Sequence, residues 1–388
     1  MKDKIIKEIQ SKADLLFGVA KYLYENPELG NAEYLACKRL TDEFRAQGFA
    51  VTEKICGLDT AFKAIYDSGK DGAAIAYFCE YDALQSIGHG CGHNLISAFS
   101  LGAAIGLKSV IDDTGGKVIV FGTPAEETDG AKVHMTNENL FDGITAGIMA
   151  HPNPVTEESG TSLAIRPIRF RFTGKAAHAA VSPEKGVNAL DAVILLFNSV
   201  NALRQHVSKD VMLHGIITDG GAAPNIVPES AEAYFYIRAA KKSTLSDAVG
   251  KVEECARGAE KMTGAKVDII YEPAFDDLKT NKTLSVVFNK NLLETGEKEI
   301  KKAGGGTGSI DIGNVSYVIP CIHPWIGLLD ENLVLHTKEF ADHTVKEDVK
   351  DIIVRAAAAM AMTGYDVITS GELQSKIKEE FALSPIVF

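Results

Sequence analysis

The 388-residue chain has no CxxC pair, and its six cysteines are scattered along its length. That spacing excludes a disulfide framework and fits a reducing compartment, so a cytoplasmic location is expected. Basic charge is also short: 40 Lys and Arg stand against 52 Asp and Glu, a formal net charge of −12. Nucleic acid and anionic membranes are both met by basic faces, so neither is expected as a partner. Long apolar runs are missing as well. Stretches such as residues 73–79 and 313–322 are short and interrupted against the roughly 18 residues that a membrane span needs, so no span is expected. Near the start, Lys2, Asp3, Lys4, Lys7, Glu8, Lys12 and Asp14 leave no apolar stretch for a secretion signal. No internal repeat or low-complexity segment is present. What remains is an ordinary globular composition, 46% hydrophobic and 24% charged, long enough for two or three domains at roughly 150 residues each.

Ile5, Ile9, Leu15, Leu16, Val19, Ala20 and Leu23 keep a helical period until Asn26-Pro27-Glu28-Leu29-Gly30 breaks it, and a second helix is predicted over about 31–47. Residues 61–66 and 73–79 read as strands, and the link Asp67-Ser68-Gly69-Lys70-Asp71-Gly72 predicts a hairpin between them. A loop rich in Gly and His over 85–93 leads into a helix near 95–107. Buried strands are predicted at 117–122 and 144–150, each followed by polar chemistry: Thr123-Pro124-Ala125-Glu126-Glu127 after the first, His151-Pro152 after the second. Alternating helices and buried strands predict an α/β sheet, which places ligands beyond the carboxyl ends of its strands. From residue 163 the order becomes strand, helix, strand, strand, helix, strand up to 271. This β-α-β-β-α-β series is the ferredoxin-like split βαβ unit. It predicts an inserted second domain over 163–278, between a first domain's two parts at 1–162 and 279–388. The last part is expected to complete the first sheet and to end in helices near 345–363 and 371–381.

The densest chemistry is Glu80-Tyr81-Asp82-Ala83-Leu84 followed by Gly88-His89-Gly90-Cys91-Gly92-His93-Asn94. Thiolate and imidazole are ligands for first-row metals, and the glycines let the backbone fold tightly enough for both to face one ion. A flexible turn with a buried thiol is the plainer reading of this segment alone. Glu126-Glu127 stands directly after a strand, where one carboxylate can ligate a metal while its neighbour acts as a general base. Adjacent glutamates in isolation are more often a solvated surface pair, and a lone His151 at a strand end is more often simply polar.

Taken together, His89-Gly90-Cys91-Gly92-His93-Asn94, Pro124-Ala125-Glu126-Glu127, Ala150-His151-Pro152 and His336-Thr337-Lys338-Glu339-Phe340 occur in the order of the glutamate carboxypeptidase and aminoacylase family of dinuclear metallohydrolases. More narrowly, the chain resembles the Cys-containing bacterial amidohydrolase branch, with aminobenzoyl-glutamate hydrolases, auxin-conjugate hydrolases and small dipeptidases. The resemblance spans essentially the whole chain. It implies an α/β, mixed-sheet, zinc-peptidase-like catalytic domain with the inserted ferredoxin-like unit acting as lid and dimerisation domain. It further implies two divalent ions, zinc or manganese, held by Cys91, His93, Glu127, His151 and His336, with Glu126 as general base toward a metal-activated water. Asp82 takes the place of a carboxylate that orients a ligand from behind. The resemblance also implies that His178, in Gly174-Lys175-Ala176-Ala177-His178-Ala179, stabilises the oxyanion in the site of a partner copy. Asn225 and Arg238 would hold the substrate carboxylate, and His323 and Gly308-Ser309-Ile310-Asp311 would line the pocket. The expected partners are a small amide or dipeptide substrate and a second copy of the chain. Where the better-known branch has His-x-Asp and a bridging Asp, this chain has Glu80-Tyr81-Asp82 and Cys91.

Two other functions compete. Cys91 could serve as a nucleophile with a histidine base, with activity that survives chelation, and a catalytically silent relative could bind metal alone. The first leaves Glu126, Glu127 and His336 without a purpose, and the second does not fit an intact ligand set. The glycine-rich run 303–309 has no Gly-Lys-Ser/Thr ending, so it reads as a flexible loop beside the substrate rather than a phosphate loop. His134, His206, His214 and His343 lack partner motifs and receive no metal role.

Overall fold

In the computed structural model, which describes residues 1–306 and 308–383, the chain folds as two units. Of the described residues, one takes Met1–Thr161, Leu278–Gly305 and 311–383; the other takes Ser162–Asp277 with Gly306 and 308–310. Thr307 of the glycine-rich run and residues 384–388 lie outside the described residues.

The apolar face predicted over residues 5–23 is carried by two helices, α1 (Lys2–Ser11) and α2 (Ala13–Glu25), rather than one. Lys12, at φ −104° and ψ 6°, leaves helical geometry and ends the first. The break lets Ile5 and Ile9 and then Leu16, Val19, Ala20 and Leu23 all reach the core. Next come α3 (Tyr34–Ala46), β1 (Ala50–Glu53), β2 (Phe62–Asp67), β3 (Ala74–Cys79), α4 (His93–Thr114), β4 (Lys117–Gly122), α5 (Ala131–Asn137), β5 (Ala146–Ile148) and β6 (His151–Asn153).

The predicted hairpin does not form. β4 lies between β2 and β3, antiparallel to the first and parallel to the second. Every residue of β3 is buried, as in a strand covered on both faces and paired on both edges. Its two neighbours are β4 and β5, both parallel to it. The Asp67–Gly72 link instead packs on the start of β4, where Gly116 donates to Lys70 O at 3.2 Å and Lys117 to Ala73 O at 3.1 Å.

In the second unit, β7 (Ala164–Thr173), α6 (Ala189–Leu203), β8 (Met212–Asp219), β9 (Ser230–Ala239), α7 (Lys242–Thr263) and β10 (Lys266–Tyr271) follow the split βαβ order. The sheet runs β10-β7-β9-β8, antiparallel throughout. Alternate residues Ile168, Phe170 and Phe172 of β7 and Ala233, Phe235 and Ile237 of β9 are buried with Ala192, Val193 and Leu196 of α6 and Ala248 and Val252 of α7, the period-2 pattern of a sheet with one covered face. Asn188 Oδ1 caps α6 by accepting from the N–H groups of Leu190 and Asp191.

The chain then returns to the first unit with α8 (Lys282–Glu294), α9 (Ile312–Val315), β11 (Cys321–Ile322), β12 (Trp325–Gly327), α10 (Lys338–His343), α11 (Val349–Thr369) and α12 (Gly371–Leu383). β11 adds to the first sheet, giving the order β1-β2-β4-β3-β5-β11, and β12 pairs with β6. The sheet is therefore mixed, as expected for its class.

One exclusion needs correction. α4 and α11 are long and apolar enough to cross a membrane by length and composition, although a search for uninterrupted apolar runs passes over both. Their apolar windows are 89% and 72% buried within the fold, so they are core helices. Glycine permits the packing around α4: a Cβ on Gly106 would lie 2.5 Å from Ile9 Cδ1, and one on Gly102 would lie 2.8 Å from Ala357 Cβ and 2.9 Å from Leu16 Cδ1.

A buried carboxylate ties the N-terminal helices to the turn after β4. Glu33 accepts from the Thr60 hydroxyl at 2.8 Å and from the Ala125 N–H at 2.8 Å. Burial, partly offset by those bonds, raises its pKa from 4.5 to about 7. The folded chain therefore holds a proton there that the unfolded chain loses. This contribution is complete below pH 4.5 and is lost as pH rises through about 7. Glu33→Gln does not ionise, and it can accept the Ala125 N–H through its amide oxygen while its NH2 donates to the Thr60 hydroxyl. It is expected to leave stability unchanged at pH 4.5 and to raise it at pH 8 by up to about 3 kcal/mol, read from denaturant unfolding of both chains across that range. A difference that stays flat with pH would contradict this account.

Candidate active site

The loops that follow β3, β4 and β5 in the first unit meet at the carboxyl ends of these parallel strands. They are joined there by the segment before α10. The turn after β3 supplies Glu80 and Asp82, both buried. Cys91 stands just before α4 and His93 is its first residue, with Gly92 between them in the left-handed region at φ 82°. A side chain at Gly92 would fail on space as well, since its Cβ would lie 2.4 Å from a Pro152 ring carbon. Ala125 (φ 58°) and His336 (φ 63°) are non-glycine residues in the same region, the kind of backbone strain that accumulates where geometry is dictated by function. Gly90 lets the His336 segment approach: the His336 N–H donates to Gly90 O at 2.8 Å, and a Cβ on Gly90 would lie 3.4 Å from His336 Cα.

Three sets of ligand atoms are drawn together, each set mutually within 4.8 Å: Cys91, His93 and His151; Cys91, Glu127 and His336; and His93, Glu126 and Glu127. The first two share Cys91. The far nitrogens of two imidazoles are committed elsewhere. His93 Nδ1 faces Asp82 Oδ1 at 3.0 Å and Asp82 O at 2.9 Å, and His151 Nδ1 faces Pro152 O at 2.7 Å. That leaves both Nε2 atoms turned inward, with His151 Nε2 3.5 Å from Cys91 Sγ. His336 Nε2 lies 3.3 Å from Glu127 Oε1. Asp82 also accepts the Glu127 N–H at 3.0 Å through its other oxygen. His93 Nε2 and Glu126 Oε1 are buried and have no hydrogen-bond partner among the described residues. Polar atoms buried in that condition are costly. A divalent cation would satisfy them, and the donor set of thiolate, imidazole and carboxylate suits zinc or a related first-row ion.

The electrostatics split the titratable groups. Burial alone would lower the pKa of His93, but Asp82 and Cys91 outweigh it and hold the pKa well above the usual histidine value. His151 is pushed well below that value by burial and by His323 and His93. Burial raises Glu126 well above the carboxylate range, and the charges of Glu80, Asp311 and Glu127 add to the effect. For Glu127 burial acts in the same direction, but the bond from His336 and the charge of His93 win and lower it. Neighbouring glutamates with opposed proton affinities are a recurring arrangement where one carboxylate ligates and the other moves a proton.

His323 is buried beside this cluster, with ring centroids 5.4 Å from His151 and 5.0 Å from Trp325, and its N–H donates to Ser159 Oγ at 2.8 Å. Of the pocket lining named with it, Asp311 is also buried in the first unit, and the remaining residues named from the sequence belong to the second unit. There, exposed His178 and Asn225 lie on adjoining segments: the Ala179 N–H donates to Asn225 O at 3.0 Å, and His178 bridges to Ile226. Arg238, on β9, is half-buried, donates to Ser309 Oγ at 3.0 Å and lies over the Tyr236 ring.

Sequence reasoning missed two features of the first unit. Trp325 packs 4.7 Å from His151, ring to ring, and is the sole tryptophan of the chain. Lys132, fully buried on α5, bridges Glu80 and Asp311. Neither has a motif of its own. A lysine on the buried face of a short helix five residues after Glu127 is the one trace that the second leaves in the sequence.

The comparisons with known proteins identify the family. Residues 165–262 match the M20 peptidase dimerisation domain. The Xaa-Arg dipeptidase of Mus musculus is 34% identical over 98% of this chain and 92% of its own length. A p-aminobenzoyl-glutamate hydrolase chain of Escherichia coli (strain K12) is 32% identical over 72% of this chain and 62% of its own. Among solved structures, a dinuclear metal-binding peptidase of the M20 family from Bacillus subtilis shares the fold at a TM-score of 0.64 and 17% identity, covering 92% of this chain and 100% of the other. With so similar a relative over nearly its whole length, the chain belongs to the M20 family of metal-dependent peptidases and amidohydrolases, enzymes that hydrolyse carbon–nitrogen bonds.

Proposed function

We propose that the chain hydrolyses the amide bond of small carboxylate-bearing molecules, dipeptides first among them, with two divalent ions held by Cys91, His93, Glu127, His151 and His336. The observation that carries this reading is the convergence of those five residues in overlapping sets, one of which joins His93 and Glu127 to Glu126, whose buried Oε1 has no partner among the described residues. When bound, zinc or manganese would polarise the scissile carbonyl and acidify the attacking water. Glu126 takes the proton from that water and hands it to the leaving amine. Its raised proton affinity, from burial and from Glu80, Asp311 and Glu127, suits a group that must hold a proton between the two steps. Asp82 fixes the face that His93 presents. The preference for dipeptides rests on likeness to the Xaa-Arg dipeptidase; N-acyl amino acids and aryl-glutamates are the other substrates to compare.

The second unit would serve as the lid and as the contact between two copies of the chain, a reading supported by its match to the dimerisation domain. We assign Arg238 and Asn225 to the substrate carboxylate and His178 to the oxyanion. Among the described residues Arg238 has no carboxylate partner and donates from one nitrogen to Ser309 Oγ, so its guanidinium keeps further N–H groups for a carboxylate. The six unpaired cysteines fit the cytoplasm as the working compartment.

A cysteine-nucleophile mechanism fares worse. It leaves Glu126, Glu127 and His336, which are drawn together with Cys91 and His93, without a purpose.

Removing metal with a chelator should abolish hydrolysis, and adding zinc or manganese should restore it. Glu126→Ala is expected to fold and bind metal like the parent while losing turnover by at least about 10²–10⁴-fold. A panel of dipeptides, N-acyl amino acids and aryl-glutamates, followed by product chromatography, tests both the reaction and its substrate class. Normal turnover by Glu126→Ala would overturn the general-base assignment, and no hydrolysis of any panel member with two ions bound would favour a silent binding protein. Asp82→Asn should weaken metal binding by about 10–100-fold, measured by competition with a chromogenic chelator. Unchanged affinity would remove Asp82 from the centre.

A further inference from the structure

Beside the five ligands lies a second group of acidic side chains. Carboxylate oxygens of Glu80, Glu126 and Asp311, all buried, stand mutually within 4.8 Å. Three carboxylate oxygens drawn this close form the kind of set that holds a divalent ion. The space is already taken. Lys132 Nζ lies 2.6 Å from Glu80 Oε1 and 2.7 Å from Asp311 Oδ1, and the lysine is completely buried. Its backbone N–H donates to the other Asp311 oxygen at 3.2 Å, so the carboxylate grips both ends of the residue. Burial opposes the ammonium charge, but Asp311, Glu80 and Glu126 outweigh it and hold the lysine protonated. Glu80 spans the two groups, with its other oxygen 3.4 Å from His93 Nε2.

We propose that the Lys132 ammonium is a built-in cation of the active site: it fills the pocket of Glu80, Glu126 and Asp311, keeps a third divalent ion out, and so leaves Glu126 free of metal. Lys132 is thus a positioning residue. Three carboxylates this close would be strongly destabilising without a cation among them, and a metal ion there would engage the carboxylate needed for proton transfer. An amine supplies the charge without that competition, because an ammonium donates hydrogen bonds and has no vacant position for another ligand.

The inference rests on the dinuclear centre proposed above, and the test separates the two. Full-length protein is stripped of metal, equilibrated with excess manganese, desalted, and assayed for ions per chain by elemental analysis. Trp325 fluorescence is followed in parallel as a reporter of the His151 side of the centre. Wild type is expected to hold two ions and Lys132→Met three, with turnover by the variant falling at least tenfold. Two ions in Lys132→Met overturns the proposal whatever its turnover. If Lys132→Met does not fold, the variant Glu80→Gln/Lys132→Met/Asp311→Asn, which removes the charges needing compensation, is expected to fold and hold two ions. Its failure to fold would show that Lys132 supplies something other than charge, and would overturn the proposal. Fewer than two ions in the wild type would instead overturn the dinuclear centre, and the proposal with it.

Discussion

The candidate site depends on one carboxylate. Asp82 holds His93 through one oxygen and the Glu127 backbone N–H through the other, so a single side chain fixes members of two ligand sets at once. The turn after β3 and the turn after β4 are thereby tied together beyond the ends of their strands, where the Thr123 N–H still donates to Cys79 O at 2.8 Å. Should a metal replace the Nε2 proton of His93, the bond to Asp82 would keep the remaining proton on Nδ1 and leave Nε2 as the lone-pair donor toward the cluster. His151 reaches the same state through a backbone carbonyl, that of Pro152.

Placing so many ligands at one point demands unusual backbone. Gly92 between Cys91 and His93 needs both its positive φ and its missing Cβ, because Pro152, the neighbour of a third ligand, occupies the space. Ala125 and His336 accept left-handed conformations without being glycine. Such residues cost roughly 1–3 kcal/mol each and persist only where the surroundings over-determine them. At Ala125 the determinant is visible: Glu33 accepts its N–H from a buried position. The strain at the site is thus held by a hydrogen bond from another part of the same unit.

The legibility of these features in the sequence follows their range. Local patterns read well: the order of elements in the second unit comes from periodicity, and Cys91, His93, Glu126 and Glu127 stand in short motifs. Pairing across the chain reads poorly. A hairpin between β2 and β3 is the natural inference from a glycine-rich link, and only the insertion of β4, some fifty residues further along, contradicts it. The helix break at Lys12 is equally hidden, since lysine carries no breaker signal, and α4 escapes a search for apolar runs because Gly, Ala and Ser interrupt its aliphatic residues. The site shows the same division. His336 can be tied to the cluster only through likeness to a family, as 245 positions of chain separate it from Cys91. Asp311 is named from the sequence only as pocket lining, and its pairing with Lys132 is beyond reach because an ion pair is a property of two residues, and Lys132 alone is not distinctive.

Charge shows why the overall balance of a chain says little about its chemistry. The net charge of −12 is spread over exposed residues, where solvent and salt screen it. The charges that decide the site are few and buried. Glu80, Asp82, Glu126 and Asp311 lie within one small volume of low dielectric with Glu127 at its margin, and the folded state would be unstable with all of them ionised and uncompensated. Compensation comes from His93 and His336 on one side and Lys132 on the other. Metal would add to it only where nitrogen and sulfur ligands stand. The division of buried cations into imidazoles that can yield to metal and an ammonium that cannot is what distinguishes the ligand pocket from the acidic pocket beside it.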